Sequence, residues 1–466
     1  MKIYSIRTTL SIAVCTALLG GCAVTHQQDA KLTLAASGQV VPAEEAAARY
    51  HINPQWWTAY GDQRLNALEE QALVNNVDLK KAALTVNKAL YQANILGADL
   101  VPSFNGSLSG SVKHNLKEGG SSNLFGSQLG LSYELDLWRK LSAAADAQVW
   151  EYQATQQDLA ATRLAVLNNV ADAYFQIAYL NEAIALTEKT IKQYGDLHRI
   201  TQAKYRYGRD GSVDPVQSEQ NLLNAQNTLL SLQSSRDSAE QTLRNLLNLK
   251  PGEALAANPA GFRLNQQTEL DLNVPISVLA NRPDLQAAEY RLQSAVQSLA
   301  EQKRSWYPSI TLGASLSTSS DKASGMFKIP FLGGTASVNL PFLDWQTMKW
   351  NDKKAQANFD NAKLNFEEAL TTALNEVNTN YRLYDQARQT LDKTRQKQAL
   401  AEKNSRYYQI RYQYGKNELA DWLTALNTQY SSAKDLLNQR YEVLKYENMV
   451  YKAMGGRYTT QAGVGR

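Results

Sequence analysis

An internal repeat constrains the fold of this chain more than any other feature. The stretch YRYGRDGSVD runs from Tyr205 to Asp214 and YQYGKNELAD from Tyr412 to Asp421, so the copies lie 207 positions apart (412 minus 205). Further matches at an offset of 206 or 207 pair Asp78 with Asp284, Pro102 with Pro308, Trp138 with Trp345, and Tyr174 with Tyr381. A period of this length predicts two copies of one structural unit.

Each repeat begins with a helical segment and continues with two strands. Helices are predicted over about 78–100 and about 283–306, and Pro283 suits a first helical turn. Apolar residues then alternate with small polar ones, which is the two-residue period of a strand. The alternating residues are Phe104, Leu108 and Val112; Leu129, Leu131, Tyr133 and Leu135; Ile310, Leu312, Ala314 and Leu316; and Ala336, Val338 and Leu340. Each run is about nine or ten residues, the length of a tilted strand that crosses a bilayer.

Very long helices follow the strands. Residues 141–207 contain no proline and one glycine, and residues 342–414 contain neither. At 1.5 Å per residue, about 67 residues would span roughly 100 Å. Apolar positions recur at alternating steps of three and four, as in a coiled coil. In the first repeat these positions are Leu164, Leu167, Ala171, Tyr174 and Ala178. A further helix follows each repeated turn, for example through Leu222, Ala225, Leu229 and Leu232.

The amino terminus predicts the compartment. Positive charge precedes an apolar stretch from Leu10 to Leu19, which ends in Leu-Gly-Gly-Cys22. This pattern indicates a lipoprotein signal peptide over 1–21 with lipid attached to Cys22, although an ordinary signal peptide is the alternative. Ala23, rather than an aspartate, follows Cys22 and favours the outer membrane. Cys15 would leave with the leader, so no disulfide or thiol metal site is expected.

Four strands per chain predict an oligomer if they cross a membrane. Every backbone donor and acceptor in lipid must be paired within protein, and four strands are too few to close a barrel. Two chains would give a filled eight-stranded barrel, whereas three would give twelve strands around water. A wide pore favours three chains, so the predicted fold is an α+β membrane protein, a homotrimer with one 12-stranded outer-membrane β-barrel that continues into a long α-helical coiled-coil barrel. A hairpin on a soluble sheet and a solid coiled coil are the alternatives.

Composition favours none of the common site classes. A formal net charge of +4 over 466 residues does not predict nucleic-acid binding. The four His have no metal-ligand spacing, and the five Met do not cluster as a copper path would require. The sequence contains no G-x-S-x-G, Walker or dinucleotide-binding loop. We therefore predict no enzyme activity, no metal site and no cofactor beyond the lipid on Cys22.

The chain resembles TolC-type outer-membrane efflux channels, in particular the lipid-anchored outer-membrane factors of resistance–nodulation–division (RND) pumps. The resemblance covers essentially the whole mature chain. It rests on NRPDLQAAE at Asn281–Glu289, SYELDLWRK at Ser132–Lys140 and WWTAYGDQRLNALEEQALVNNVDL at Trp56–Leu79. It implies a homotrimeric, passive exit duct in Gram-negative outer-membrane lipid. The duct would take drugs or other small toxic compounds from a periplasmic adaptor and an inner-membrane RND transporter. Type I protein secretion is the alternative.

The resemblance also implies how the chain is divided. Residues 22–76, the linker 250–281 and the tail 456–466 would form an equatorial belt around the tunnel. The two repeats would occupy 77–249 and 282–455. Their turns would lie at the periplasmic end of the tunnel.

The repeated turns are the predicted contact with the adaptor. Gly208 and Gly415 would permit a left-handed turn and a close backbone approach, and three chains would present six such turns. Many relatives carry valine where Tyr207 and Tyr414 stand, so the adaptor contact would be particular to this chain. Ordinary helix capping is the alternative for both glycines.

The family closes its periplasmic end near these turns, and four residues correspond to that gate. Asp421 matches an aspartate that forms a ring on the channel axis. Thr424 occupies the position of a second acidic residue in several relatives. Asp214 and Tyr412 match partners in a hydrogen-bonded link between neighbouring helix pairs. The alternative for Asp214 and Asp421 is N-capping of the following helix.

Overall fold

The structure is a computed structural model that describes residues 52–53, 55–114, 116–117, 119–209, 211–257, 259, 282–329 and 331–458. The predicted signal peptide and Cys22 lie outside these residues, as do most of the predicted linker and tail. A short strand β1 (Ile52–Asn53) opens the described chain. A 3-10 turn (Trp56–Tyr60) and helix α1 (Gln63–Asn75) follow it.

Both repeats contain the same elements in the same order. The first consists of α2 (Val77–Ala98), β2 (Ser103–His114), β3 (Ser121–Leu135), α3 (Lys140–Arg206) and α4 (Val213–Leu246). The second consists of α5 (Pro283–Arg304), β4 (Ser309–Ser320), β5 (Phe331–Asn339), α6 (Trp345–Gln413) and α7 (Leu419–Ala453). A last strand, β6 (Arg457–Tyr458), pairs with β1.

The predicted helices are present with small differences at their ends. The two long helices α3 and α6 have 67 and 69 residues. Helices α2 and α5 end at Ala98 and Arg304, two residues earlier than predicted. Proline disfavours helical geometry in the residue before it, so a helix ends some distance ahead of Pro102 or Pro308. None of the described helices is both long enough and apolar enough to span a membrane.

The strands form one antiparallel sheet in the order β2-β3-β4-β5. Three of them, at 12, 15 and 12 residues, are longer than predicted. Strand β5 has 9 residues and ends before Leu340, which the alternation had included. The longer strands extend into serine- and glycine-rich sequence, where the apolar alternation that marks a strand fades.

The register gives the sheet two unlike faces. Leu129 pairs with both Gly106 and Leu316, and Leu316 pairs with Leu332, so these side chains share a face. That face carries Phe104, Leu108, Val112, Leu131, Ala314, Leu312 and Val338 as well. The opposite face is mainly serine, threonine, glycine, asparagine and glutamine. We call these the apolar face and the polar face.

The helices pack into a core centred on α3. The predicted coiled-coil positions Leu167, Ala171, Tyr174 and Ala178 are buried, and Leu164 packs against them half-buried. Two asparagines add a reciprocal link between α3 and α7. The amide Nδ2 of Asn168 donates to the backbone oxygen of Asn448, and that of Asn448 donates to the backbone oxygen of Asn168, both at 2.9 Å.

The contacts define two layers of helices along the long axis. Beside the sheet, α3 packs against α2 and α5, and α5 packs against α6. Towards the repeated turns, α3 packs against α4 and α7, and α7 packs against α6. The long helices α3 and α6 therefore run through both layers. Helix α3 lies inside the chain, and α6 lies at its edge.

Candidate functional site

The first repeated turn caps α3 with a left-handed glycine. Tyr207 holds the C-cap position and Gly208 has φ 67°. The amide of Arg209 donates to the carbonyl of Lys204 at 2.9 Å, and that of Gly208 donates to Tyr205 at 2.9 Å. These two bonds define a Schellman motif, which satisfies carbonyls that the helix end leaves unpaired.

The second turn repeats this geometry at the end of α6. Tyr414 is the C-cap residue, and Gly415 has φ 66°. The amide of Lys416 donates to Arg411 at 2.9 Å, and that of Gly415 donates to Tyr412 at 3.0 Å. Both glycines therefore act as helix C-caps, as the capping alternative predicted. A docking role is compatible with that geometry.

The two C-cap tyrosines project from the turns. Tyr207 is 82% exposed and Tyr414 is 76% exposed. A Cβ added to Gly208 or Gly415 would meet no atom within 4 Å, so these glycines are needed for their backbone angle and not for space. The turns therefore offer open, aromatic protrusions at one end of the chain.

A small apolar cluster below the turns joins four helices. It contains Tyr194 and Leu197 of α3, Ala225 of α4, Tyr412 of α6, and Leu419, Trp422, Leu423 and Leu426 of α7. The rings of Tyr412 and Trp422 lie 5.3 Å apart between centroids. The cluster fixes the turns relative to each other through side-chain packing.

Tyr412, a predicted gate residue, is buried in this cluster. The Nζ of Lys204 donates to its phenolic oxygen at 3.0 Å and lies 4.1 Å from the centroid of its ring. This contact ties the last turns of α3 and α6 together. Sequence reasoning missed Lys204, because a lysine near a helix C-terminus is expected to be solvated. Asp214, the other predicted partner in the link, lies in the first turn of α4.

Asp421 and Thr424 lie on one exposed side of α7. They are three residues apart, so they are neighbours on the helix surface. The Oγ1 of Thr424 donates to the carbonyl of Ala420 at 2.8 Å. Asp421 is in the first helical turn, where the positive end of the helix dipole stabilises a carboxylate.

The capping alternative for the two aspartates is wrong. Ser212 and Glu418 occupy the N-cap positions of α4 and α7, and neither side chain makes a capping hydrogen bond. Asp214 and Asp421 lie further inside their helices, in the first turn, where the positive end of the helix dipole stabilises a carboxylate.

Polar side chains supplement the apolar cluster. The phenol of Tyr194 donates to Asn427, whose Nδ2 donates to the Oδ1 of Asn221 at 3.0 Å. Burial and the nearby Tyr430 raise the pKa of Tyr194 to about 12, so it keeps its proton at physiological pH. These bonds connect α3, α7 and α4. No sequence pattern predicts these bonds, because asparagines are common over all these helices.

Arg282, in the NRPDLQAAE motif, is a second organising residue that sequence reasoning did not assign. Its guanidinium donates to the carbonyl of Ala453 and to the carboxylates of Asp284 and Glu376, each at 2.7 Å. Burial opposes ionisation of Asp284, but the bonds from Arg282 outweigh it and lower the pKa of that carboxyl. The motif thus fastens the start of α5 to α6 and to the end of α7.

The comparisons with known proteins agree with this geometry. The family model described as outer membrane efflux protein matches residues 68–249 and 274–456, one block for each repeat. Toxin and drug export protein A of Aggregatibacter actinomycetemcomitans is 41% identical over 456 residues, which is 98% of this chain and 99% of that protein. The probable efflux pump outer membrane protein TtgC of Pseudomonas putida is 28% identical over 98% of this chain and 97% of its own length.

A solved structure shows the same fold. The MtrE outer membrane channel of Neisseria gonorrhoeae, in its open state, aligns with a TM-score of 0.76 and 27% identity over 84% of this chain and 89% of that one. The predicted resemblance and fold class are confirmed: this is the architecture of the trimeric outer-membrane channels, with a β-barrel above a helical tunnel. The chain belongs to the outer membrane efflux protein family and is the outer-membrane exit duct of an efflux pump.

Proposed function

We propose that three copies of this chain form one continuous duct, which passively conducts drugs or other small toxic compounds out of the cell. A periplasmic adaptor would dock on the six turns, and an RND transporter in the inner membrane would supply the energy. The chain itself would catalyse no reaction and would carry only the lipid on Cys22. A gate at the turns would control passage through the periplasmic end of the duct.

The observation that carries this proposal is the two-faced sheet with two open edges. Among the described strands, β2 and β5 pair on one side only. Unpaired backbone groups cannot remain in hydrocarbon, so each edge needs a strand from another chain. Pairing β5 of one copy with β2 of the next closes the sheet with its apolar face towards lipid and its polar face towards water.

The helical layers support the same assembly. Helix α2 forms one edge of the layer beside the sheet and exposes an apolar stripe of Leu84, Tyr91 and Ile95. Helix α6 forms the opposite edge and exposes Trp350 and Leu364 on the side turned away from α5. The two stripes would cover each other between neighbouring copies. Among the described residues, both edge helices lack a partner on the same sides of the chain as the open strands.

The polar face suits a broad range of cargo. Its described strand positions are uncharged apart from Lys113 near one end of the sheet and Glu134 near the other. Hydroxyl and amide groups offer hydrogen bonds without selecting a charge. Such a lining would let the transporter, rather than the duct, determine which compounds leave.

Assembly and conduction are tested together. Full-length protein purified in detergent is examined by native mass spectrometry and then inserted into a planar lipid bilayer. We expect a trimer that conducts ions. A monomer that leaves the bilayer insulating would overturn the proposal and favour a coiled-coil protein without a pore.

The proposed gate is tested at Asp421 and Thr424. Three Asp421 carboxylates around one axis would attract cations and would narrow the opening of the duct at its periplasmic end. Asp421→Ala should increase conductance and the uptake of large antibiotics, whereas Thr424→Asp should add a second acidic ring and increase cation selectivity. Asp237→Ala, in the C-terminal half of α4 and away from the turns, is the control. If both gate variants conduct like wild type, these residues do not form the gate.

Toxin export is a second candidate, favoured by one observation. The relative that is 41% identical over 98% of this chain is named for export of both toxins and drugs. A deletion strain separates the two functions. Drug sensitivity with an unchanged secreted-protein profile favours small-molecule efflux, and the loss of a secreted protein with unchanged drug sensitivity favours secretion.

A further inference from the structure

The segment that connects β4 to β5 folds back onto the apolar face of the sheet. The Oγ of Ser127 donates to the carbonyl of Met326 at 2.6 Å, and the Oγ1 of Thr318 contacts the carbonyl of Gly325 at 3.4 Å. Ser127 and Thr318 are paired in register and lie on the same face as Leu129 and Leu316. We call residues 321–329 the flap.

The flap is a compact structure. A short 3-10 turn at Ala323–Gly325 is closed by a bond from the amide of Gly325 to the carbonyl of Lys322 at 2.9 Å. A Cβ at Gly325 would lie 2.1 Å from the Oγ of Ser320, so the backbone touches the strand closely here. Ser320 also accepts from the amide of Lys322 at 3.2 Å. These contacts hold the flap against the apolar face of the sheet.

The flap lies against the part of the apolar face where β3 and β4 become polar. On these two strands, leucines give way to Ser127, Thr318 and Ser320 towards the end of the sheet that is remote from the helices. Leu108 and Val112 continue the apolar face there on β2. If the apolar face meets lipid, as proposed above, this level corresponds to the headgroups of the outer leaflet. The inference therefore rests on the proposed orientation of the sheet.

The exposed side chains of the flap combine apolar and basic groups. Phe327 is 75% exposed and Ile329 is 51% exposed. Lys322 precedes Phe327, and Lys328 lies between Phe327 and Ile329. Both lysines are exposed, and Asp321 is the one acid in the sequence of the flap. Aromatic residues between lysines are typical of protein segments at the interface of an anionic membrane.

We propose that the flap binds the phosphorylated headgroup of an anionic glycolipid in the outer leaflet. The ammonium groups of Lys322 and Lys328 would contact phosphate oxygens, and Phe327 would enter the boundary between headgroups and acyl chains. Each basic residue near an anionic lipid surface contributes about 1 kcal/mol, which is roughly fivefold in affinity. The flap would anchor the outer rim of the channel from the lipid side.

The test uses the full-length protein in detergent, with diphosphoryl lipid A as the probe and native mass spectrometry as the readout. The double variant Lys322→Gln, Lys328→Gln should bind the lipid about thirtyfold more weakly. The matched control is Lys393→Gln, Lys403→Gln on the exposed surface of α6, which should bind like wild type. Phe327→Ser should weaken binding by a smaller factor.

Two results would overturn the flap site. One is equal lipid A binding by wild type and the Lys322, Lys328 variant. The other is displacement of lipid A by inorganic phosphate alone, which would mean that the lysines hold a free anion and not a lipid. Conductance of all variants is measured in parallel and should not change. Protein that binds lipid through these lysines but never conducts would refute the duct and retain the flap.

Discussion

The long helices α3 and α6 occupy equivalent places in the two repeats, yet their surroundings differ. Helix α3 has 67 residues, of which 23 are buried, whereas α6 has 69 residues, of which 7 are buried. Within the part of the chain that the structure describes, helix α3 has packing partners on both sides along its length, whereas α6 has them on one side. The repeat therefore specifies the helix, and the position in the chain determines whether its partners are internal or belong to another copy.

This difference explains the exposed apolar residues of the second repeat. An exposed Leu364 or Trp350 is costly on an isolated chain and useful at an interface. The same reasoning applies to the sheet: among the strands that the structure describes, β3 and β4 are paired on both sides and β2 and β5 on one. One edge of the protomer, formed by β2 and α2, therefore complements the opposite edge of a neighbouring copy, formed by β5 and α6.

The largest expected effect is a difference in stability loss between substitutions of two equivalent tyrosines, one in each repeat. Tyr174 of α3 is fully buried and donates to Asp62 at 2.6 Å, whereas its counterpart Tyr381 of α6 is half-buried. Tyr174→Ala removes a buried ring and should lower the free energy of unfolding by about 3–5 kcal/mol. Tyr381→Ala should cost less than half of that. Denaturant unfolding followed by circular dichroism measures both, and equal losses would contradict the inside-versus-edge comparison.

The exposed edge of α6 is tested at Leu364. Leu364→Asp puts a charge where a neighbouring copy should cover an apolar side chain. Burying a leucine contributes about 1.5–3 kcal/mol, so the trimer should dissociate at concentrations where wild type is stable. The helical signal should remain, because Leu364 is 62% exposed in the single chain. Native mass spectrometry detects the change.

A matched substitution tests whether the lost apolar contact, rather than the added charge, destabilises the trimer. Asn361 lies three residues before Leu364 on the same exposed region of α6 and is already polar. Asn361→Asp should reduce trimer stability by much less. If Leu364→Asp leaves the trimer intact, this part of α6 is not the interface between copies.

Arg282 fastens the edge helix to the rest of its own chain. Arg282→Gln leaves Asp284 and Glu376 without their shared cation. A fully buried pair broken in this way costs about 3–5 kcal/mol, and because both acids are partly exposed we expect about 2 kcal/mol. Arg291→Gln, at a more exposed ion pair with Asp158, should cost less than about 1 kcal/mol. Thermal unfolding of both variants compares them.

Acid titration sharpens the role of Arg282. The pKa of Asp284 is lowered in the folded protein from its ordinary value of 3.8, so its contribution to stability is complete above that pH and is lost as the pH falls below it. The Arg282→Gln variant should lose less stability over the same acid range. Parallel acid profiles for wild type and variant would show that the ion pair does not stabilise the fold.

The sequence predicted the elements well because their signals are local. Alternation in β2 to β5 and the lack of proline in α3 and α6 depend only on neighbouring residues. Contacts between distant segments carried no such signal. The bonds from Lys204 to Tyr412 and from Arg282 to Ala453 join residues that are 208 and 171 positions apart, and only the packed helices bring them together.

Buried polar groups were also beyond sequence reasoning. Glu69 lies on α1, where a charged residue is expected to face water, but it is fully buried. Among the described residues, neither of its carboxylate oxygens has a hydrogen-bond partner, and burial raises its pKa well above 4.5. Glu69 lies on the same face of α1 as the buried Leu65, Leu68 and Ala72. A periodic pattern indicates which face of a helix is apolar, but it does not show that a carboxyl group is buried within that face.

The smallest expected effects test where the repeats are alike. Gly208 and Gly415 have φ 67° and 66°, so Gly208→Ala and Gly415→Ala should each cost about 1 kcal/mol and by equal amounts. Gly195 lies inside α3, where a Cβ would meet nothing within 4 Å, so Gly195→Ala should stabilise the protein by about 0.5–1 kcal/mol. If the backbone angle alone decides, thermal unfolding should show a lower melting temperature for Gly208→Ala and Gly415→Ala and a higher one for Gly195→Ala. Unequal losses of stability at Gly208 and Gly415 would mean that the two turns contribute differently to the stability of the trimer. The difference between α3 and α6 would then extend to the turns that follow them.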